Sequence, residues 1–483
     1  DPNIYFGLGN RSKADIIRIT WTNGVPQNIL LPDSDQALIE SQTLKGSCPF
    51  LYTWNGSEYE FVKDITWRSA LGMPLGIMGG TTQYAFAAAS DDYIKIESNQ
   101  LQAKDGVYSI QVTSELWETI YMDQIELVAV DHPKEVAVFV PEQFSPPPFP
   151  GMQLYQIEKK HVPIKAIDGQ DRDVLPMILA KDDQYISNLE PGKYQGITKT
   201  HDLILDPGEA GQLDNLHLFL RGWIFPTDAS INVALSQSDI LKLEFPVIQV
   251  IDQEGHWQTI ETNMSFPMGK DKTVIVDLKD KFLSKDCRLR IRTNMEIYWD
   301  EIFFGDVKNK NNFVTNVMQA KTAELHYRGF SKTYRKGGRY GPHWFDYSQV
   351  DRTTKWRDLT GRYTRYGDVM PLLKASDNQY IISNAGDETS INFDATSLPK
   401  LKEGWTRDFL IHSVGWVKDG DFNTADGNTV EPLPYHGMAA YPPSGQDIYP
   451  LQSELLPYND EYNTRLVSHK AFQNSIKPIL SEE

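Results

Sequence analysis

The sequence predicts an all-β, multidomain chain of β-sandwich and jelly-roll type with few helices. Three observations carry this prediction. Short β-branched and aromatic runs recur mostly about 8 to 15 residues apart, the spacing of sandwich strands and not of βαβ units. The 33 glycines and 28 prolines are spread along the 483 residues, which is how turn-rich β proteins punctuate their strands. Sustained 3.6-residue periodicity is scarce.

At about 150 residues per domain, the length predicts roughly three domains. Residues 15–21 (DIIRITW) and 25–31 flank Asn23-Gly24, whose positive φ angles suit a type I′ hairpin turn. Residues 50–54, Asn55-Gly56 and 58–62 repeat that pattern. Strands follow at 93–97, 107–112 and 124–130, the last ended by Asp131-His132-Pro133. Residues 141–150 hold five prolines in ten positions, which forces an extended, unpaired backbone. They read as a linker or as a Pro-rich loop crossing a sheet edge. Beyond them, strands are predicted at 217–224, 231–235, 247–251, 257–262, 273–278 and 288–293, and a helix at 311–323. The resulting division is a residual β domain (1–41), a β domain (42–140), the linker (141–150), a jelly-roll, carbohydrate-binding-like sandwich (151–310) and a β-rich, loop-heavy C-terminal domain (311–483).

Lys and Arg total 47 against 65 Asp and Glu, a net charge of −18 that argues against duplex nucleic acid as a partner. No apolar run approaches the roughly 18 to 20 residues that span a bilayer, so no membrane span is expected. Cys48 and Cys287 form no CxxC pair, which leaves two buried thiols or one long-range bridge. The charge reverses between 321 and 366, where eleven basic residues face four acidic ones among interleaved Tyr and Trp. That segment suits an internal or subunit contact with Arg stacked on Tyr, an anionic glycan, or single-stranded nucleic acid.

Asp419, Asp421, Asn423, Asp426 and Glu431 form the sharpest local feature. Alternating Asp and Asn oxygens in a tight turn are what calcium takes as ligands, so calcium is the candidate cofactor. The run departs from an EF-hand, because position six is Thr424 and the acidic residue arrives at position thirteen. A loop of Asx turns is the alternative. Candidate ligand-binding residues are Trp223, Asp228, Asn232, Glu296, Trp299 and Asp300, with a Trp to stack on a sugar and flanking acids to bond its hydroxyls. A core Trp with rim charges is the other reading. On a strand, Glu296, Tyr298 and Asp300 share one face, with Trp299 and Glu301 on the other. Asp300 and Glu301 alone therefore cannot flank one glycosidic bond at about 5 Å or 6.5 to 9.5 Å.

Tyr5-Phe-Gly-Leu-Gly9, Ile16-Ile-Arg-Ile-Thr-Trp21 and Thr22-Asn-Gly24 together resemble the end of the ASPIC/UnbV domain. That domain commonly follows FG-GAP/VCBS propeller repeats in the cartilage acidic protein family and its exported bacterial relatives. Cys48-Pro-Phe-Leu-Tyr-Thr-Trp54, Phe266-Pro-Met-Gly-Lys270 and Gly404-Trp-Thr-Arg-Asp-Phe409 resemble the β-rich extension some of them carry. The resemblance implies a secreted or cell-envelope protein, processed from a longer precursor, with a noncatalytic or uncharacterised role. The family's D-x-D-G-x-x-D propeller repeats are absent, so propeller calcium binding does not carry over. The expected function is an exported binding or structural protein that recognises a protein or glycan partner or assembles with itself. The alternatives are an accessory subunit of a larger complex, or a carbohydrate-active enzyme drawing its acids from Asp228, Glu296 and Asp300.

Overall fold

A computed structural model describes residues 4–20, 26–38, 48–78, 81–186, 189–262, 264–308, 312–336, 343–352, 356–445, 449 and 455–468. The fold is all-β, and the described residues contain two α-helices, Ala229–Ser236 and Leu455–Tyr462. The first hairpin pairs Ile16–Thr20 with Pro26–Leu30. Its Asn23-Gly24 turn lies outside the described residues.

The longest strands are Glu118–Pro133 and Trp405–Asp419, which pair antiparallel from Trp405 opposite Pro133 to Asp419 opposite Glu118. Both faces of Glu118–Pro133 are covered, with Ile125, Leu127 and Ala129 in one core and Val128 and Val130 in another. That explains the almost continuous apolar run. The strand runs through Asp131 and His132 and ends at Pro133, because the polar groups of this last stretch are met across the sheet. Arg407 forms a bidentate pair with Asp131 at 2.6 and 2.7 Å, and His132 Nε2 meets Asp408 at 3.2 Å.

These two strands belong to a five-stranded sheet with Val314–Gln319, Ser90–Ile96 and Ile381–Asn384. It faces a six-stranded sheet ordered Gly367–Asp368, Thr322–Tyr327, Asp387–Asp394, Val107–Thr113, Phe50–Trp54 and Tyr59–Asp64. Leu51, Ile110, Leu325 and Ile391 from one sheet pack with Ile94, Leu127 and Ile411 from the other. Strands drawn from 42–140 and from 311–483 therefore share both sheets, forming one framing sandwich interrupted by residues 151–310. The predicted helix at 311–323 is instead the strands Val314–Gln319 and Thr322–Tyr327. Its apolar spacing fits a helix, but β-branched Val314, Thr315 and Val317 complete the sheet edge against residues 126–131.

The interrupting segment builds a second sandwich. One sheet is ordered Lys165–Asp168, Ile197–Asp206, Leu289–Met295, Val247–Ile251 and Trp257–Glu261, and the other Lys272–Asp277, Leu216–Ile224 and Ile297–Asp306. Alternate residues such as Leu203, Leu205, Leu218, Leu220, Val274 and Ile291 fill its core. The strand predicted at 231–235 is the helix Ala229–Ser236, started by the Asp228 carboxylate accepting from Ile231 N at 2.8 Å. The Pro-rich segment is laid along a strand edge: Glu142 N donates to Thr273 O and Gln143 Oε1 accepts from Ile275 N.

Where the two sandwiches meet, four cations and three anions are buried together, with the part-buried Glu97 at their edge. Lys272 Nζ lies 2.6 Å and Lys270 Nζ 3.2 Å from the Asp64 carboxylate. Lys63 grips Glu142 at 2.6 and 2.8 Å. Arg221 is bidentate on Asp271 at 2.6 Å and reaches Glu97 at 3.0 Å. Burial alone would push Asp64 up, but Lys272 and Lys270 hold it below the usual carboxylate range. Burial lowers Lys63 to about 8. Gly269 is required here, since its φ is +98° and a Cβ would sit 2.3 Å from Asp64 Oδ2.

Asp64→Asn would leave Lys270 and Lys272 buried against a neutral amide. We expect the unfolding free energy in urea to fall by about 3–5 kcal/mol, and a loss below about 1 kcal/mol would contradict this account of the joint.

Candidate functional site

The structure brings the predicted Asp419–Glu431 loop against the helix that Asp228 caps and that carries Asn232, and places Trp223, Glu296, Trp299 and Asp300 elsewhere. Asp419 Oδ1 accepts from Asp421 N at 3.1 Å and from the Thr424 hydroxyl. Asp421 Oδ1 accepts from Asn423 N at 2.8 Å and from Ser230 Oγ at 2.9 Å. Asn423 Nδ2 donates to the same Ser230 Oγ at 2.9 Å. Ser230 stands on the helix that Asp228 caps, and Asn232 Nδ2 ties that helix to Pro74 O at 3.0 Å. Asp426 sits at φ +52° in the loop, its carbonyl accepting from Thr429 N. Glu431 N donates to Thr429 Oγ1 at 3.2 Å. Among the described residues, the metal-sized carboxylate and imidazole group is Asp252, Glu254 and His256, elsewhere on an exposed turn.

Trp223, Glu296 and Asp300 lie on the inserted sandwich where the hairpin of Phe330–Arg335 and His343–Asp351 approaches it. Trp223 is buried with Tyr185 and Tyr298. The His343 ring stands 6.3 Å from its indole and 5.9 Å from Phe225. Lys336 pairs with Asp183 at 2.9 Å. Glu296 accepts from Gly196 N at 3.1 Å and from the Tyr298 hydroxyl at 2.5 Å, and burial raises its pKa. Asp300 Oδ1 accepts from Asp182 N at 3.3 Å, and burial pushes its carboxyl up to about 7.

The expected alternation along this strand breaks at Asp300. Arg221 pairs with Glu301 but Gly222 with Trp299, so Asp300 is the extra residue of a bulge. Ile297 and Trp299 before it, and Ile302 and Phe304 after it, all enter the core. Glu301 therefore does not share a face with Trp299, and it pairs with Lys160 at 2.6 Å. Trp299 needs the glycine opposite, because a Cβ at Gly222 would lie 2.6 Å from its ring.

Trp299 and Ile297 also line a cleft of about 310 Å³ in the inserted sandwich. Ile186, Leu203 and Ile291 add apolar wall, and the rim is charged. Asp168 pairs with Arg172 at 2.7 Å, Glu190 with Lys199 at 2.5 Å, and Asp202 with Arg292 at 3.0 Å. His201 Nδ1 lies 3.1 Å from Thr198 Oγ1, and burial lowers its pKa. A register shift between Ile197 and His201 takes Thr198, Lys199 and Thr200 out of the ladder, and Lys199 and Thr200 line this rim. Sequence reasoning named Trp299 but missed the rim, whose residues come from four separate segments. Of the other predicted ligand residues, Trp223, Asp228, Asn232, Glu296 and Asp300 do not line this cleft.

The basic segment 321–366 makes internal contacts of the Arg-on-Tyr kind. The Arg328 guanidinium lies 4.1 Å from the Tyr347 ring and pairs with Glu115 and Glu388, each at 3.3 Å. Cys48 and Cys287 are free thiols. No helix among the described residues is long and apolar enough to cross a membrane. No protein-family model matches the chain, and no curated protein matches it.

The raised pKa of Asp300 has a signed consequence. The unfolded chain releases this proton near pH 4 and the folded chain near pH 7, so wild-type stability falls across that interval. Asp300→Asn removes the term, and its stability relative to wild type is expected to rise between pH 4 and 7 and then level off. Urea unfolding at several pH values reads this, and a pH-independent difference would contradict it.

Proposed function

We propose that this chain is a noncatalytic binding protein that recognises a polar, sugar-sized ligand in the cleft over Trp299. The observation that carries the reading is a partly apolar cleft with an ion-paired rim, large enough for a small sugar unit. Hydrolysis fits it poorly. Burial would push Asp168 up, yet the backbone N–H groups of Gln170 and Arg172 and the Arg172 guanidinium hold it down. Lys199 holds Glu190 down. A glycosidase acid needs the opposite shift. Of the predicted site acids, Glu296 and Asp300 carry raised values, and both lie outside this cleft. With the ASPIC/UnbV resemblance, we read the protein as secreted or held in the cell envelope, where glycans are abundant partners.

Glycan-array screening followed by calorimetry tests this. Arg292 is half-exposed and its loss costs little stability. Arg292→Ala and His201→Ala are each expected to weaken a retained glycan tenfold or more without lowering Tm by more than a few degrees. No retained glycan, or one indifferent to both changes, would overturn the proposal.

A further inference from the structure

The strand Trp405–Asp419 places His412 between two carboxylates. Its register partner on one side is Glu126 of Glu118–Pro133, and on the other Tyr93 of the edge strand Ser90–Ile96. His412 Nδ1 lies 2.9 Å from Glu126 Oε2, and Nε2 lies 2.9 Å from Asp91 Oδ1. The ring stacks on Tyr93 at 4.3 Å, with 3° between the planes. A neutral imidazole carries one N–H and one lone pair, so it donates to one carboxylate and turns its lone pair on the other. Contacts of hydrogen-bond length from both nitrogens to groups that accept when ionised fit the imidazolium.

The two carboxylates are held unequally. Glu126 is largely buried and also accepts from the Gln319 amide. The Asp91 side chain is 51% exposed, and His412 is its partner among the described residues. Burial alone would lower the His412 pKa, but Asp91 and Glu126 raise it above the ordinary histidine value. The charged and titratable groups facing the ring are Asp91, Glu126 and the Tyr93 phenol, whose own pKa burial raises. Lys95, farther along the edge strand, pairs with Asp408 at 2.9 Å, and Arg68, which donates to the Asp91 carbonyl, pairs with Asp92 at 3.0 Å. The edge strand borders the joint between the sandwiches: Lys95 N donates to Glu142 at 2.8 Å, and Glu97 at its end reaches Arg221 at 3.0 Å.

We propose that His412 is a pH-operated clamp across three strands: as an imidazolium it ties Asp91 to Glu126, and on losing its Nε2 proton to solvent it keeps Glu126 on Nδ1–H and lets Asp91 swing into water. Asp91 is the carboxylate released because water can replace its partner, whereas Glu126 is buried. The folded value lies above the unfolded one, so the clamp stabilises fully below about pH 6.5 and is lost as pH rises through the folded value. The edge strand beside the joint is therefore held more tightly in mildly acidic surroundings than in alkaline ones.

Nitrogen-15 NMR of the full chain with labelled histidine tests this across neutral and alkaline pH, the His412 signals being those absent from His412→Gln. His412 is expected to titrate with a midpoint above about pH 6.5, from two N–H groups to the Nδ1–H tautomer. Over the same range, amide hydrogen exchange in Ser90–Ile96, corrected for its intrinsic pH dependence, is expected to lose protection severalfold. Asp91→Asn, whose amide can accept from Nε2–H or donate to the Nε2 lone pair, is expected to lower the His412 midpoint and to remove most of that loss. A wild-type midpoint at or below about pH 6.5, the Nε2–H tautomer above the midpoint, or protection that is constant with pH or falls equally in Asp91→Asn would each overturn the proposal. Should His412→Gln fail to fold, the histidine signal displaced by Asp91→Asn marks His412 instead.

Discussion

Seven buried charges and the part-buried Glu97, held between two sandwiches, set the architecture of this protein. Lys63, Arg221, Lys270 and Lys272 face Asp64, Glu97, Glu142 and Asp271, and each sandwich contributes both signs. Removing such groups from water is costly, and only close, multiply bonded geometry offsets that cost. The arrangement is therefore specific. A small rotation of one sandwich on the other would leave several buried charges without partners, whereas an apolar interface could slide.

The same logic accounts for where the polar candidates went. Asp228, Asn232, Asp421 and Asn423 converge on one short helix and one loop, where the Asp carboxylates accept and the Asn amides donate in caps and ties across the junction. Asx-rich turns and cation loops use the same residues in the same order. What separates them is whether the carboxylates point together or each takes a local N–H, and that is decided by the fold. In the basic segment, Arg328 and Lys336 bring aromatic and acidic partners to the junction, so a locally positive stretch reinforces a molecule of strong negative charge.

Much of the strand pattern was legible, because β-branched and aromatic runs such as Val247–Ile251 and Val107–Thr113 stand between clear turn signals. The failures have physical reasons. At 229–236 the β-branched Ile231 and Val233 suggest a strand, but Asp228 supplies a helix cap and Pro74 an anchor for Asn232. At 314–319 helical spacing gives way to an open sheet edge. The shared sheets of the framing sandwich pair strands hundreds of residues apart, which local periodicity cannot register. The same limit hid the cleft beside Trp299, which was visible as an aromatic beside acids, yet its glycine neighbour, its bulge and its charged rim are products of pairing.

A joint built from buried charges makes the two sandwiches a single cooperative unit, and differential scanning calorimetry of the full chain at pH 7 tests that claim most directly. The account predicts one transition whose calorimetric and van't Hoff enthalpies agree. Two separable transitions, one for each sandwich, would contradict it.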